Sequence, residues 1–393
     1  YWSDGTIPWL NSGTVNQGDI TEASKYITEE ALANSSAKWI PEKAILIALA
    51  GQGKTKGMVA QTQFEATCNQ SLGIIVPSYP ELNRYLLFWL RKNYQNIRNL
   101  GGGDKRDGIN LEMIGSIPTP LPTKKEQTAI ANYLDKKTIE IDQLITEKEQ
   151  LVKLYQEEKT ALINQAITKG INPDIKLKDS GIECLGDIPE HWEVKKLKYV
   201  INSKLMYGAN ESAVFENKEH PRYIRITDFG NDGKLKSDTF KSLPPDKANN
   251  FLLDDGDILF ARSGATVGKT FQFKDYSGIA CFAGYLIKAS PNPEIVISDF
   301  LYNFTKTGSY ENWKKSIFNQ ATIQNIGADK YAFLDIPIPA TIKEQKEIVQ
   351  HIEKETARIN SKIARAEKYI NLLTEYRTAL ISEVVTGKIK VID

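Results

Sequence analysis

Residues 45–57 read ILIALAGQGKTKG, and the spacing from Ala48 to Gly53-Lys54-Thr55 is that of a Walker A phosphate loop. Such a loop holds phosphates with its own N–H groups and with the N-terminus of the helix that follows, so it must sit between a strand and a helix. Here the next residues, GMVAQTQFEATC, are β-branched and aromatic and alternate like a strand. A second stretch, ILFARSGATVGK (258–269), lies over LIALAGQGKTKG (46–57); it keeps the glycines but has Ala265 in place of the lysine. The one candidate for a Mg²⁺-holding hydrophobic-Asp strand, YAFLD (331–335), runs straight into a proline-rich helix entry. A P-loop NTPase acting through Ala48–Thr55 is therefore the weaker reading. The duplicated glycines predict a tight β-turn at a sheet edge.

Other side chains offer little catalytic chemistry. Cys68, Cys184 and Cys281 and three histidines form no cluster with metal-ligand spacing. Isolated cysteines fit a reducing, cytoplasmic setting. Cys68 and Cys281 fall in apolar strands and read as small buried residues, and His191-Trp192 reads as a packed structural pair. The 50 basic and 49 acidic residues nearly cancel, so any nucleic-acid site must be a local patch. No apolar run approaches the roughly 20 residues of a membrane-spanning helix.

The elements that must position these residues occur twice. IPTPLPTKKEQTAIANYLDKK (117–137) recurs as IPIPATIKEQKEIVQHIEKE (336–355), with Glu126-Gln127 matching Glu344-Gln345, 218 residues on. The same offset carries TALI at 160–163 onto TALI at 378–381. Each copy is a β-rich stretch followed by one long helix. Thr123-x-x-Glu126 and Thr341-x-x-Glu344 predict capping boxes. The prolines before them end the preceding strands, and Gly170 and Gly387 suit left-handed C-terminal caps. Ile130, Leu134, Ile141, Leu144, Ile145, Leu151, Val152, Tyr155, Leu162 and Ile163 form an apolar stripe, as do Ile348, Ile352, Ile359, Ile363, Ile370, Leu373, Leu380 and Val384. A stripe of about 45 residues, roughly 65 Å at 1.5 Å per residue, needs a partner helix of equal length, and the other copy supplies it.

The duplicated IPxP…KEQ helix entry, GDIPEHWEVKKLKYV (186–200), GDILFARSGATVG (256–268) and QATIQNI (320–326) resemble the DNA specificity subunits of type I restriction-modification systems. The resemblance implies an α+β protein: two α/β target-recognition domains with mixed β-sheets, joined by two long antiparallel helices in a coiled coil with an internal pseudo-twofold repeat. It places the first target-recognition domain at 1–122, the first spacer helix at 123–170, the second domain at 171–340, and the second helix with a C-terminal tail at 341–393. The 186–200 segment has no counterpart before the first domain, which by this comparison lacks roughly 30 residues at its start.

It further implies that the chain is not an enzyme. Each domain would read half of a bipartite, asymmetric site in double-stranded DNA. The helices would fix the spacing and dock two methyltransferase subunits, and a restriction subunit would join them. S-adenosylmethionine and ATP/Mg²⁺ are expected in those partners, with no cofactor in this chain. The Asp/Asn/Ser-Pro-Pro-aromatic tetrapeptide of adenine amino-methyltransferases is missing; LPPD (243–246) lacks the aromatic. The rival to this reading is a coiled-coil scaffold that binds protein only.

Base reading needs donors such as Arg or Lys for guanine and Asn or Gln for adenine. The first half supplies Gln52, Lys54, Lys56, Lys105, Arg106 and Asn110. The second supplies Arg222, Arg225, Arg262, Ser263, Thr266, Lys269, Gln320, Thr322 and Gln324. The aligned loops differ, Gly51-Gln52-Gly53-Lys54 against Arg262-Ser263-Gly264-Ala265, as two different half-sites would require.

Overall fold

The computed structural model describes all residues except 52, 102–107, 231–232, 265, 319–324 and 393. The chain forms two compact units, Tyr1–Gln150 with Ala366–Asp393, and Leu151–Arg365.

In the first unit, strands β1 (Ile7–Leu10), β2 (Asp19–Ile20) and β3 (Lys25–Ile27) precede a short helix α1 (Glu29–Ala33). Strands β4 (Ile45–Ala48), β5 (Val59–Thr62), β6 (Thr67–Cys68) and β7 (Leu72–Ile75) follow, then helices α2 (Pro80–Lys92), α3 (Tyr94–Asn99) and α4 (Leu111–Gly115). One sheet runs β2-β5-β4-β7, with β4 antiparallel to both β5 and β7; a second runs β3-β1-β6, with β1 and β6 parallel. All four residues of β4 are buried. Leu46 and Ala48 face a core with Leu10, Val15 and Ile20, whereas Ile45 and Ile47 face Leu87, Leu90 and Ile97 of the helices. A strand covered on both faces reads as a continuous apolar run, which is why ILIA does not alternate.

The second unit repeats this plan. After β8 (Leu177–Asp179), β9 (Asp187–Pro189), β10 (Glu193–Lys196), β11 (Met206–Tyr207), β12 (Arg222–Ile224) and helix α6 (Pro245–Ala248) come β13 (Ile258–Ala261), β14 (Thr270–Gln272), β15 (Ala280–Phe282) and β16 (Leu286–Ala289). Helices α7 (Ser298–Phe304), α8 (Gly308–Phe318) and α9 (Ala328–Ala332) and strand β17 (Asp335–Ile338) complete it. The β14-β13-β16 order matches β5-β4-β7, and the parallel pair β12–β15 matches β1–β6, with Tyr223 beside Cys281 as Leu10 is beside Cys68. Cys281 is buried as expected; Cys68 is only half-buried.

Helices α5 (Lys124–Lys169) and α10 (Ile342–Val385) each contribute to both units. In the first unit Ile130, Leu134 and Ile141 of α5 pack with Leu380, Ile381, Val384 and Val385 of α10, over Tyr85 and Phe88 of α2. In the second, Ile163, Ala166 and Ile167 pack with Ile348, Val349 and Ile352. The start of each helix meets the end of the other, so the pairing is antiparallel. Arg377 with Asp142 at 2.8 Å, and Arg358 with Glu158 at 3.3 Å, flank the seam. The stripe is not uniform: Leu144 is exposed, and Leu151 and Val152 are only half-buried. Gly170 and Gly387 adopt φ of 77° and 73°, the left-handed caps expected of them.

The two helix entries differ. Thr123 and Glu126 close the full capping box, Thr123 N–H donating to the Glu126 carboxylate at 2.8 Å and Glu126 N–H to the Thr123 hydroxyl at 3.3 Å. At the second entry only the Glu344 N–H to Thr341 hydroxyl bond forms, at 3.2 Å. The Glu344 carboxylate instead accepts the indole N–H of fully buried Trp192 at 2.9 Å and meets His191 Nε2 at 3.0 Å. The expected second box is thus half replaced, because the 186–200 segment brings a stronger claimant to that carboxylate. The glutamines beside these glutamates are both buried but bind different segments: Gln127 donates to Pro122 O just ahead of α5 at 2.8 Å, whereas Gln345 donates to Ile295 O, between β16 and α7, at 2.8 Å.

Candidate nucleic-acid interface

The glycine-rich stretch at 49–58 is the loop of a β-hairpin. Strand β4 pairs antiparallel with β5, and Gly57 N–H donates to Ala48 O at 2.8 Å. A strand, not a helix, follows Thr55, so no helix N-terminus addresses a phosphate here and the Walker A reading is overturned. Gly57 has φ of 82°, and a Cβ there would approach the Arg98 backbone to 3.1 Å, so this turn requires glycine. Helix α3 braces the loop: the Tyr94 hydroxyl donates to Lys54 O at 2.5 Å and Arg98 Nη1 to Lys56 O at 3.3 Å.

The loop between β13 and β14 is built the same way. Gly268 N–H donates to Ala261 O at 2.7 Å, and from α8 the Tyr310 hydroxyl donates to Gly268 O at 2.9 Å. Tyr310 is fully buried, and burial raises its hydroxyl well above its ordinary pKa, so it serves as a neutral donor. Each unit thus presents a braced loop tip on a rigid sheet.

Of the expected DNA-contacting residues, Lys54 is exposed at the first tip, and Thr266 and Lys269 are exposed at the second. Arg262 begins the second loop with its guanidinium 4.7 Å from the Tyr207 ring centre, and its Nε has no hydrogen-bond partner among the described residues. Ser263 lies beside it, in a bridge to Asn325. Others have structural positions. Lys56 is buried. Asn110 caps α4, its side chain accepting Met113 N–H at 2.8 Å. Arg222 is buried between Phe240 and Tyr276 and donates to Lys236 O at 2.6 Å. Arg225 is held by Asp228 at 2.9 Å and by Thr239 O at 2.6 Å. These four serve the interior or a helix end rather than the exposed loop tips. Gln52, Lys105, Arg106, Gln320, Thr322 and Gln324 lie outside the described residues.

The structure adds residues that sequence reading missed. Tyr207 and Tyr285 are exposed, and Tyr285 O accepts Arg262 N–H at 3.0 Å. Exposed Phe333 carries Lys198 Nζ at 4.1 Å from its ring centre. Arginine or lysine against an exposed aromatic face suits a surface that meets bases and phosphates together.

The chain is similar to known proteins over nearly its whole length. The family model for the type I restriction modification DNA specificity domain matches residues 1–154 and 189–367. The chain is 22% identical to the StySPI specificity subunit of Salmonella potsdam, over 95% of this chain and 81% of that protein. It is 23% identical to the MjaVIII specificity subunit of Methanocaldococcus jannaschii, over 99% and 87%. Among solved structures, one described as showing complex assembly and conformational transition of the type I R-M system superposes with a TM-score of 0.77 at 16% identity, covering 98% of this chain and 92% of that one. The HsdS subunit of Thermoanaerobacter tengcongensis superposes at 0.55, also at 16% identity, covering 98% and 91%. The chain belongs to the type I restriction-modification DNA specificity family. Its part in such a system is recognition of DNA as a specificity subunit, without catalysis of its own. No helix among the described residues is long and apolar enough to cross a membrane.

Proposed function

We propose that each unit reads one half of a bipartite, asymmetric site in double-stranded DNA through its braced hairpin loop, and that α5 and α10 set the spacing of the halves. The carrying observation is one scaffold with two different tips: a glycine-rich turn bearing Lys54, against Arg262, Ser263, Thr266 and Lys269. A homodimeric reader imposes a palindrome on its site, whereas two diverged modules in one chain do not. Two modification (methyltransferase) subunits would dock on the long helices. On α10, Tyr369, Leu372 and Tyr376 are exposed at three- and four-residue spacing, a face suited to a partner helix. S-adenosylmethionine and ATP/Mg²⁺ would be bound by those partners and by a restriction subunit, in the cytoplasm. Methylation would require the target base to leave the duplex for a methyltransferase pocket.

The test is to map methylated adenines in host DNA with the wild-type gene, with the gene deleted, and with Arg262→Gln and Ser263→Ala together. Deletion should abolish one split motif. The double variant should relax or change one half of that motif and keep the other half and the spacing. A motif that survives deletion of the gene would overturn the proposal. The protein-only scaffold predicts no protected footprint on DNA even with partners present.

A further inference from the structure

In the first unit a cavity of about 820 Å³ opens between the 49–58 hairpin, the α2–α3 junction and the last turns of α10. Its charged lining consists of Lys54, Arg91, Lys92 and Arg377, with no carboxylate among the described residues that line it. Gln17 and Ser382 add neutral hydrogen-bonding groups. Carboxylates nearby are already engaged. Asp19 is 3.8 Å from Arg91 but is gripped by Arg84 through contacts of 2.6 and 3.1 Å. Asp142 is paired with Arg377. Lys54 and Lys92 have no ion pair among the described residues, and Lys92 Nζ rests 4.9 Å from the Trp89 ring centre. Burial, followed by repulsion from Arg84, with Arg377 adding to it, lowers the Arg91 pKa to about 10, so it remains charged at neutral pH.

A related pair of cations recurs in the second unit. Lys159 stands 218 residues before Arg377, the spacing that relates the helix entries, and its neighbour in space is Lys306, just beyond α7, as Arg91 stands near the end of α2. Lys306 Nζ lies 3.8 Å from the Tyr302 ring centre, and its removal from water, then repulsion from Lys159, pull its pKa down to about 8. Like charges brought together cost stability, and the carboxylates that face them, Asp19 and Asp135 for Arg91 and Asp299 for Lys306, offset that cost only in part, since both pKa values stay lowered.

We propose that the Lys54–Arg91–Lys92–Arg377 cavity holds a phosphate of the DNA backbone and so positions the duplex against the first hairpin. The anion is assigned to the duplex because Lys54, which lines this cavity, also stands exposed on the hairpin that the proposed function turns toward DNA. A phosphate grip fixes register without reading sequence, which separates its role from that of Arg262 and Ser263. The proposal rests on the DNA-recognition reading above.

The test uses the full chain with its modification subunits, a duplex carrying the mapped motif and a scrambled duplex of equal length. Arg91→Gln and Arg377→Gln should each weaken binding of both duplexes to a similar degree and lower the slope of log affinity against log salt by about one. A methylphosphonate scan should find one neutralised phosphate that weakens the wild type but not Arg91→Gln. If Arg91→Gln does not fold, Arg377→Gln and Lys92→Gln decide by the same two readouts. Unchanged slopes, or a loss confined to the motif-bearing duplex, overturn the proposal. So does inorganic phosphate raising the melting temperature of the wild type but not the variants while slopes stay unchanged, which marks a free-phosphate site. So too does loss of the modification subunits from the variants, which marks an acidic protein surface as the occupant. A wild type that binds neither duplex refutes the recognition reading instead.

Discussion

Cys281 has no exposed surface on β15, and burial pushes its thiol up to about 12. The thiolate is the reactive form, so at pH 8 iodoacetamide should label the half-buried Cys68 and Cys184 well before Cys281, by at least about tenfold in rate. Mass spectrometry of timed samples checks this; early labelling of Cys281 would mean that the β12–β15 pair opens readily. Its burial was legible in sequence, because an apolar strand surrounds it. The fates of the arginines were not. Arg222 and Arg262 look alike as donors in polar stretches, but Arg222 starts a buried strand and is enclosed by Phe240 and Tyr276, residues distant in sequence. Likewise Arg377 sits in a long helix whose sequence reads as scaffold, Arg91 in α2, which no motif marks, and only folding brings the two to one cavity.

Among elements, the paired helix entries show how far a repeat can be trusted. The prolines do not all end strands: Pro337 lies within β17, and among the described residues no strand directly precedes α5. The Thr-x-x-Glu pattern and the closing glycines do mark the ends of both long helices. Their identical wording did not reveal that Glu344 would be drawn to Trp192, since the claimant lies 152 residues upstream. Glu126→Ala should therefore cost little, because its carboxylate serves an exposed cap. Glu344→Ala leaves the Trp192 indole N–H buried without an acceptor, at about 1–3 kcal/mol. Chemical denaturation of the two variants measures the difference; equal midpoints would mean that the indole contact adds nothing. The non-uniform seam also escaped sequence reading. Periodicity places Leu144 on the stripe, but burial depends on what the opposing helix offers at that level, and Leu144 is exposed.

At the scale of the whole molecule, the first unit is assembled from both ends of the chain, Tyr1–Gln150 and Ala366–Asp393, whereas the second is continuous from Leu151 to Arg365. Tyr85, Phe88, Ile130 and Leu134 share a core with Leu380, Ile381, Val384 and Val385. Ending the chain after Arg365 removes four buried aliphatic side chains from that core, each contributing about 1.5–3 kcal/mol. Limited proteolysis of the shortened protein should then cleave within 1–150 and spare a fragment spanning 151–365. Equal protection of both segments would show that the closing helix segment is dispensable to the first unit. The duplication was readable from sequence; this exchange of ends was not, because a repeat describes what each copy resembles rather than which copy its helix completes.

That arrangement has a consequence for translation. Residues 151–365 are contiguous and can close on themselves, whereas 1–150 stays incomplete until 366–393 has been made and has folded back onto it. A stop codon directly after Arg365 would then blind the first unit and leave the second able to fold.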